Sequence, residues 1–98
     1  VSRASTVSGE RPAIDPADVA GLRTMMRATV TEGTGQLVAG QGEVYGKTGE
    51  AEYAGGSHAW FVGYRGDLAF ATLIVGGGGS ERAVLATRDV LSAIPTQP

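Results

Sequence analysis

The sequence predicts an α+β fold, an antiparallel three-stranded meander with flanking helices. Three strand-like runs, 43–53, 58–64 and 68–75, follow one another with only short Gly-rich turns between them, and such connections join antiparallel neighbours. A helical pattern with its own start signal lies on each side of that block. The second and third runs are apolar on both faces, which calls for cover above and below the sheet.

Taken in order, 1–13 is polar and rich in Ser, Thr, Arg and Gly without steady periodicity, and is expected to be loop with at most a short strand. Asp15 and Pro16 then start a helix, because an aspartate accepts bonds from free N–H groups and a proline at the first helical position has none to waste. Leu22, Met25, Met26, Thr29 and Val30 recur at helical spacing, and Gly33 and Gly35 end the run. Two adjacent methionines can serve as soft ligands, but at this spacing they read as core. A short strand or a plain connection is expected over 36–41, with Gly40 and Gly42 marking a turn or bulge. The first strand run, 43–53, is interrupted by Gly46 and Gly49; 54–57 and 65–67 are turns. Four glycines, 76–79, lead to Ser80 as the cap of a last helix, with Glu81 in its first turn, Val84, Leu91 and Ile94 on one face, and Pro95 as its end. Residues 76–80 also spell a flexible linker, although they stand where a natural strand-to-helix loop belongs.

The chain has 98 residues, enough for one small domain and not two. The boundaries expected are 1–15 for the opening and 16–98 for the folded segment. Ten acidic against eight scattered basic residues give a net charge of −2, which supplies no footprint for nucleic acid. The chain has no cysteine, so disulfides and thiolate metal sites are excluded. A start at Val1, with no signal or membrane-spanning stretch, leads us to expect a processed or excised piece. Two short helices can cover one sheet face only, and the apolar face left over points the same way.

Gly46, Lys47 and Thr48 spell the end of a phosphate loop, but that motif requires glycine where Gln41 stands and a helix starting after Thr48. The alternative is a Lys47-Thr48-Gly49 edge strand lining a cleft, a signature of penicillin-binding proteins and serine β-lactamases. A lysine offers a positive charge to a carboxylate, a hydroxyl adds a directional bond, and a glycine lets a substrate backbone approach. Other candidates carry less. His58 stands alone at a strand start, without a second metal ligand. Trp60, Phe61 and Tyr64 read as core before they read as a stacking platform. Glu50 and Glu52 share a strand face, as a glycosidase pair would, and as solvated edge residues do.

The flanks add specificity. The helical segment ending in Glu32-Gly33-Thr34-Gly35, the run Gly46-Lys47-Thr48-Gly49-Glu50-Ala51-Glu52, and the run His58-Ala59-Trp60-Phe61-Val62-Gly63-Tyr64 together resemble the C-terminal part of the transpeptidase domain of high-molecular-weight penicillin-binding proteins, over roughly 17–94. The resemblance implies the C-terminal portion of a β-lactamase/transpeptidase-like fold. It also implies an enzyme that cross-links peptidoglycan stem peptides through a serine acyl-enzyme and is acylated by β-lactams. Lys47 and Thr48 would bind the substrate carboxylate, Gly49 would admit the substrate backbone, and the N–H of Glu50 would form half of the oxyanion hole. No metal or other cofactor is implied. The partners implied are the remainder of the same domain, stem peptides and β-lactams, in an extracytoplasmic, membrane-anchored parent at the cell envelope. A serine β-lactamase, a D,D-carboxypeptidase and an inactive scaffold are the alternatives.

Two departures stand out. The chain contains no Ser-x-x-Lys and no Ser-x-Asn, so the nucleophile and the other half of the oxyanion hole lie outside it, and the chain alone is expected to be inert. Glu50 stands where the family usually has Thr or Ser. Its charge would repel a substrate carboxylate unless it swings to solvent, pairs with a cation or is held protonated.

Overall fold

The computed structural model describes residues 9, 12–76 and 78–95, in the order helix, 3-10 segment, three strands, helix. Most of the expected polar opening, and one of the four glycines of 76–79, lie outside the described residues.

Helix α1 spans Pro16–Thr31, with Asp15 Oδ1 accepting the Ala17 N–H at 2.8 Å and Pro16 at the first helical position. It ends where the N–H groups of Glu32, Gly33 and Gly35 fold back onto Ala28 and Thr29 carbonyls. The expected apolar stripe is only partly used. Val30 is buried, but Met25 is 62% and Leu22 50% exposed, because α1 rests on the sheet by its C-terminal half. Its N-terminal half borders an open groove of about 820 Å³ lined by Ile14, Val19, Ala20, Arg23 and Tyr45, among others. Over Gln36–Gln41 the chain forms neither strand nor plain connection but a 3-10 helix, which turns Val38 fully inward. Tight i to i+3 bonding lets a short connection bury one side chain without building a strand.

Strands β1 (Val44–Tyr53), β2 (Gly56–Arg65) and β3 (Leu68–Ile74) form one antiparallel sheet in the order β1-β2-β3. The predicted meander is present with tighter turns. Ala54-Gly55 and Gly66-Asp67 suffice, so Gly56 and Arg65 belong to strands, and β1 runs unbroken through Gly46 and Gly49. Gly55 (φ 98°) and Gly66 (φ 60°) supply the left-handed backbone that these two-residue connections need.

Helix α2 spans Glu81–Ala93 and lies on the same sheet face as the 3-10 segment. Val84 and Leu91 are buried as expected, while Ile94 falls at the helix end and is 37% exposed. The core lies between the sheet and a cover made of the end of α1, the 3-10 segment and α2: Val30, Val38, Val44, Ala59, Phe61, Ala83, Val84 and Leu91. On the opposite face Val62 and Leu73 are 37% and 60% exposed, beside half-buried Trp60 and Tyr64. No helix among the described residues is long and apolar enough to cross a membrane.

Candidate functional site

The geometry of β1 follows from its hairpin. A two-residue turn is closed by a pair of residues that exchange both hydrogen bonds, here Tyr53 and Gly56, and such pairs alternate with non-bonded ones along the ladder. Ala51, Gly49, Lys47 and Tyr45 therefore spend their backbone groups on β2. Residues 44, 46, 48, 50 and 52 turn theirs to the outer edge, where no strand pairs among the described residues. Two side chains mark the same edge: Arg27 Nη1 donates to the Val44 carbonyl at 2.8 Å, and Lys47 Nζ donates to the Thr48 carbonyl at 2.6 Å. The N–H groups of Thr48 and Glu50 thus face outward beside the Lys47 ammonium.

The side chains divide between the faces. Tyr45, Lys47 and Gly49 lie on the outer face with Val62 and Trp60, while Val44, Gly46, Thr48 and Glu50 lie on the helix-covered face. Lys47 and Thr48 are therefore brought together at the strand edge, not on one face. Lys47 is exposed and curls over the edge. Thr48 is 8% exposed, its hydroxyl 2.7 Å from that of Thr34. Packing alone gives Gly49 a reason to be glycine. A Cβ there would lie 2.2 Å from Cε2 of Trp60, whose indole covers the position from the neighbouring strand.

Glu50 is exposed, yet its carboxylate has a fixed partner within the chain and no arginine is involved. Its Oε1 accepts the N–H of Ser80, at the start of α2, at 2.8 Å. Its neighbours hold the same stretch of chain: Ser57 Oγ donates to the Gly78 carbonyl at 3.1 Å, and His58 Nδ1 accepts the Gly76 N–H at 2.9 Å. His58 also lies against Tyr53, ring centroids 4.7 Å apart, so its role in the fold is structural. Glu52 shares the face of Glu50 and, like it, is exposed.

Around this strand, Tyr45 stacks on Tyr64 with centroids 4.7 Å apart and planes within 6°, and the Arg27 guanidinium lies 5.8 Å from the Tyr45 ring. The Tyr45 hydroxyl donates to Glu43 Oε1 at 2.6 Å, a bond that, with desolvation and the Glu43 charge, raises the phenol above its ordinary pKa. A smaller cleft of about 320 Å³, lined by Gly33, Thr34, Gln36, Leu37, Ser80 and Glu81, adjoins the partners of Thr48 and Glu50. The larger groove along α1 reaches the strand only at Tyr45, so the smaller one is nearer the chemistry.

Sequence reasoning did not single out Thr34 as a partner, nor Ser80 as an N–H donor to a strand residue. It also placed Arg65 in a turn. Arg65 is 8% exposed, and its guanidinium donates to the carbonyls of Gln41, Leu91, Ile94 and Pro95 at 2.9 to 3.5 Å. One sequence signal was available: α2 has no basic residue in its last turn, so the charge that suits its C-terminus had to come from elsewhere.

A family model described as the penicillin binding protein transpeptidase domain matches residues 3–92. Comparison with curated proteins and with solved structures finds no match.

Proposed function

Because the chain belongs to the penicillin-binding protein transpeptidase domain family, we propose that it supplies the Lys47-Thr48-Gly49 strand of a D,D-transpeptidase site together with the Glu50 N–H as half of its oxyanion hole. The observation that carries this reading is the outer edge of β1, with the backbone groups of Thr48 and Glu50 turned outward next to the Lys47 ammonium. A peptide ending in a carboxylate adds to such an edge as a further strand, its carboxylate drawn to Lys47 and its scissile carbonyl aimed at the Glu50 N–H. A fixed donor at that point stabilises the oxyanion of the tetrahedral intermediate, by about 3 kcal/mol for a typical oxyanion-hole donor. Thr48 contributes first as a hydroxyl paired with Thr34, which holds the strand in place, and can offer a bond to the ligand carboxylate when that pair turns.

The serine nucleophile and its lysine come from the remainder of the domain, since neither motif occurs in this chain. In this reading the reaction joins two peptidoglycan stem peptides through a serine ester, in the cell envelope, in a membrane-anchored parent. β-Lactams acylate the same serine. The β-lactamase and D,D-carboxypeptidase alternatives use the same strand. The inactive-scaffold alternative rested on the Glu50 charge facing the substrate, and that carboxylate accepts a helix N–H instead.

The test is acylation. In a protein joining this segment to the part bearing Ser-x-x-Lys, Lys47→Ala is expected to slow labelling by a fluorescent penicillin about a hundredfold, the loss of a charge-assisted contact worth a few kcal/mol. The 98-residue chain alone is expected to gain no penicilloyl mass. Unchanged labelling of Lys47→Ala, or an adduct on Ser57 or Ser80, sinks the assignment.

A further inference from the structure

We infer that Glu50 is a positioning residue: its carboxylate caps helix α2 from across the fold, and in doing so ties down the strand position whose own N–H is the proposed oxyanion donor. The inference deepens the reading above and rests on it for the catalytic consequence, but not for the cap itself.

The first N–H groups of a helix lack intrahelical acceptors, and Ser, Thr, Asp or Asn at the N-cap ordinarily supplies one. Ser80 occupies that position in α2 with helical backbone angles (φ −62°, ψ −18°), and its side chain makes no capping bond. Glu50, thirty positions earlier, satisfies another of these donors: its Oε1 accepts the N–H of Ser80 itself at 2.8 Å, the group that a Glu or Gln at the third helical position takes in a capping box and that Ala83 there cannot. The chain passes close over this carboxylate, for a Cβ on Gly79 would lie 3.5 Å from Oε1. The opposite end of α2 is held in the same manner. Arg65 on β2 donates to the carbonyls of Leu91 and Ile94. An anion at the N-terminus and a cation at the C-terminus both complement the helix dipole, and both are borne by the sheet.

Two consequences follow for the site. The Glu50 backbone is anchored from its side chain, so its outward N–H is held by α2 as well as by the neighbouring ladder bonds of Gly49 and Ala51. Its negative charge is directed to the Ser80 N–H at the start of α2, away from the edge where an anionic ligand would lie. A threonine hydroxyl at position 50 is two bonds too short to span the same gap from an unmoved strand, whereas the glutamine amide oxygen has the required reach.

Amide hydrogen exchange on the 98-residue chain, followed by NMR for wild type, Glu50→Gln and Glu50→Thr, reads the cap directly. Glu50→Thr is expected to lower protection of the Ser80 amide about fivefold to tenfold, the equivalent of a lost cap, with the amide of Leu91 little changed and Glu50→Gln close to wild type. Protection of Ser80 left intact in Glu50→Thr overturns the inference. So does a loss spread evenly over α2, Leu91 included, which would make Glu50 a general stabiliser. In the joined protein at low salt, where an unscreened like charge would be felt most, Glu50→Thr is expected to slow penicillin acylation several-fold, and Glu50→Gln, which keeps the reach to Ser80, to recover most of that loss relative to Glu50→Thr. A rise above wild type in Glu50→Thr would show the carboxylate facing the ligand and also overturn it. If wild type itself is not acylated, the transpeptidase reading fails while the exchange result still decides the cap.

Discussion

A Cβ on Gly49 would fall inside the indole of Trp60, 2.2 Å from Cε2 and 2.3 Å from Nε1, so Gly49→Ala must displace a large half-buried ring or bend the edge strand. We expect it to destabilise the chain by about 1–3 kcal/mol, the usual cost of overpacking, measured by urea unfolding, with a shift in Trp60 fluorescence. Trp60→Val in the Gly49→Ala background should recover most of the loss. An unchanged midpoint for Gly49→Ala would show that the indole does not in fact rest on this position. At this scale the sequence was legible in kind but not in partner. Lys47, Thr48, Gly49 and Glu50 stand on the strand that the motif implied, and Thr48 shares a face with Glu50 as the two-residue alternation requires. The partners Thr34, Trp60 and Ser80 come from other elements, and no local pattern states which residue a folded chain will bring to which.

Among the elements, the three strands and two helices were readable because each has strong local punctuation: Asp15 and Pro16, the two Gly turns, and the apolar runs between them. The 3-10 segment was not, because its reason for existing is the burial of Val38 against a core that only the assembled fold contains. The turns were read too long for a related reason, since closing a hairpin with two residues costs less backbone order than the Gly-rich spelling of 54–57 and 65–67 suggested. The alternation deduced for β1 can be measured. In the 98-residue chain, amides of Thr48, Glu50 and Glu52 should exchange quickly, and those of Lys47, Gly49 and Ala51 should be protected by β2. The reverse pattern would turn the Glu50 N–H inward and remove it from any oxyanion hole.

Among the described residues of the whole molecule, the sheet is covered on one side and leaves apolar side chains exposed on the other. The prediction that two-sided apolar strands need a second cover rested on the apolar residues at both alternating sets of positions in 58–64 and 68–75, and Val62 and Leu73 meet it by standing exposed at 37% and 60%. The 98-residue chain by itself should therefore associate through this face. Val62→Lys with Leu73→Lys is expected to shift it toward monomer in sedimentation velocity, with α2 exchange protection retained. Persistence of the same oligomer in the double variant would place the contact elsewhere, with the groove along α1 the next surface to examine.

The Arg65 guanidinium bonds to Gln41, Leu91, Ile94 and Pro95 through their carbonyl oxygens. It reads the path of the chain and not the letters written along it. Each of those four residues can change identity without depriving the arginine of an acceptor, provided the backbone still arrives at the same place. Arg65 has no such freedom, since a planar fork with several donors has no substitute among the other side chains. Inherited variation would therefore be lopsided here: Gln41, Ile94 and Pro95 under no demand from this contact, Leu91 held by the core and not by the arginine, and Arg65 bound to a single amino acid, with no paired change to betray that the two sides ever meet.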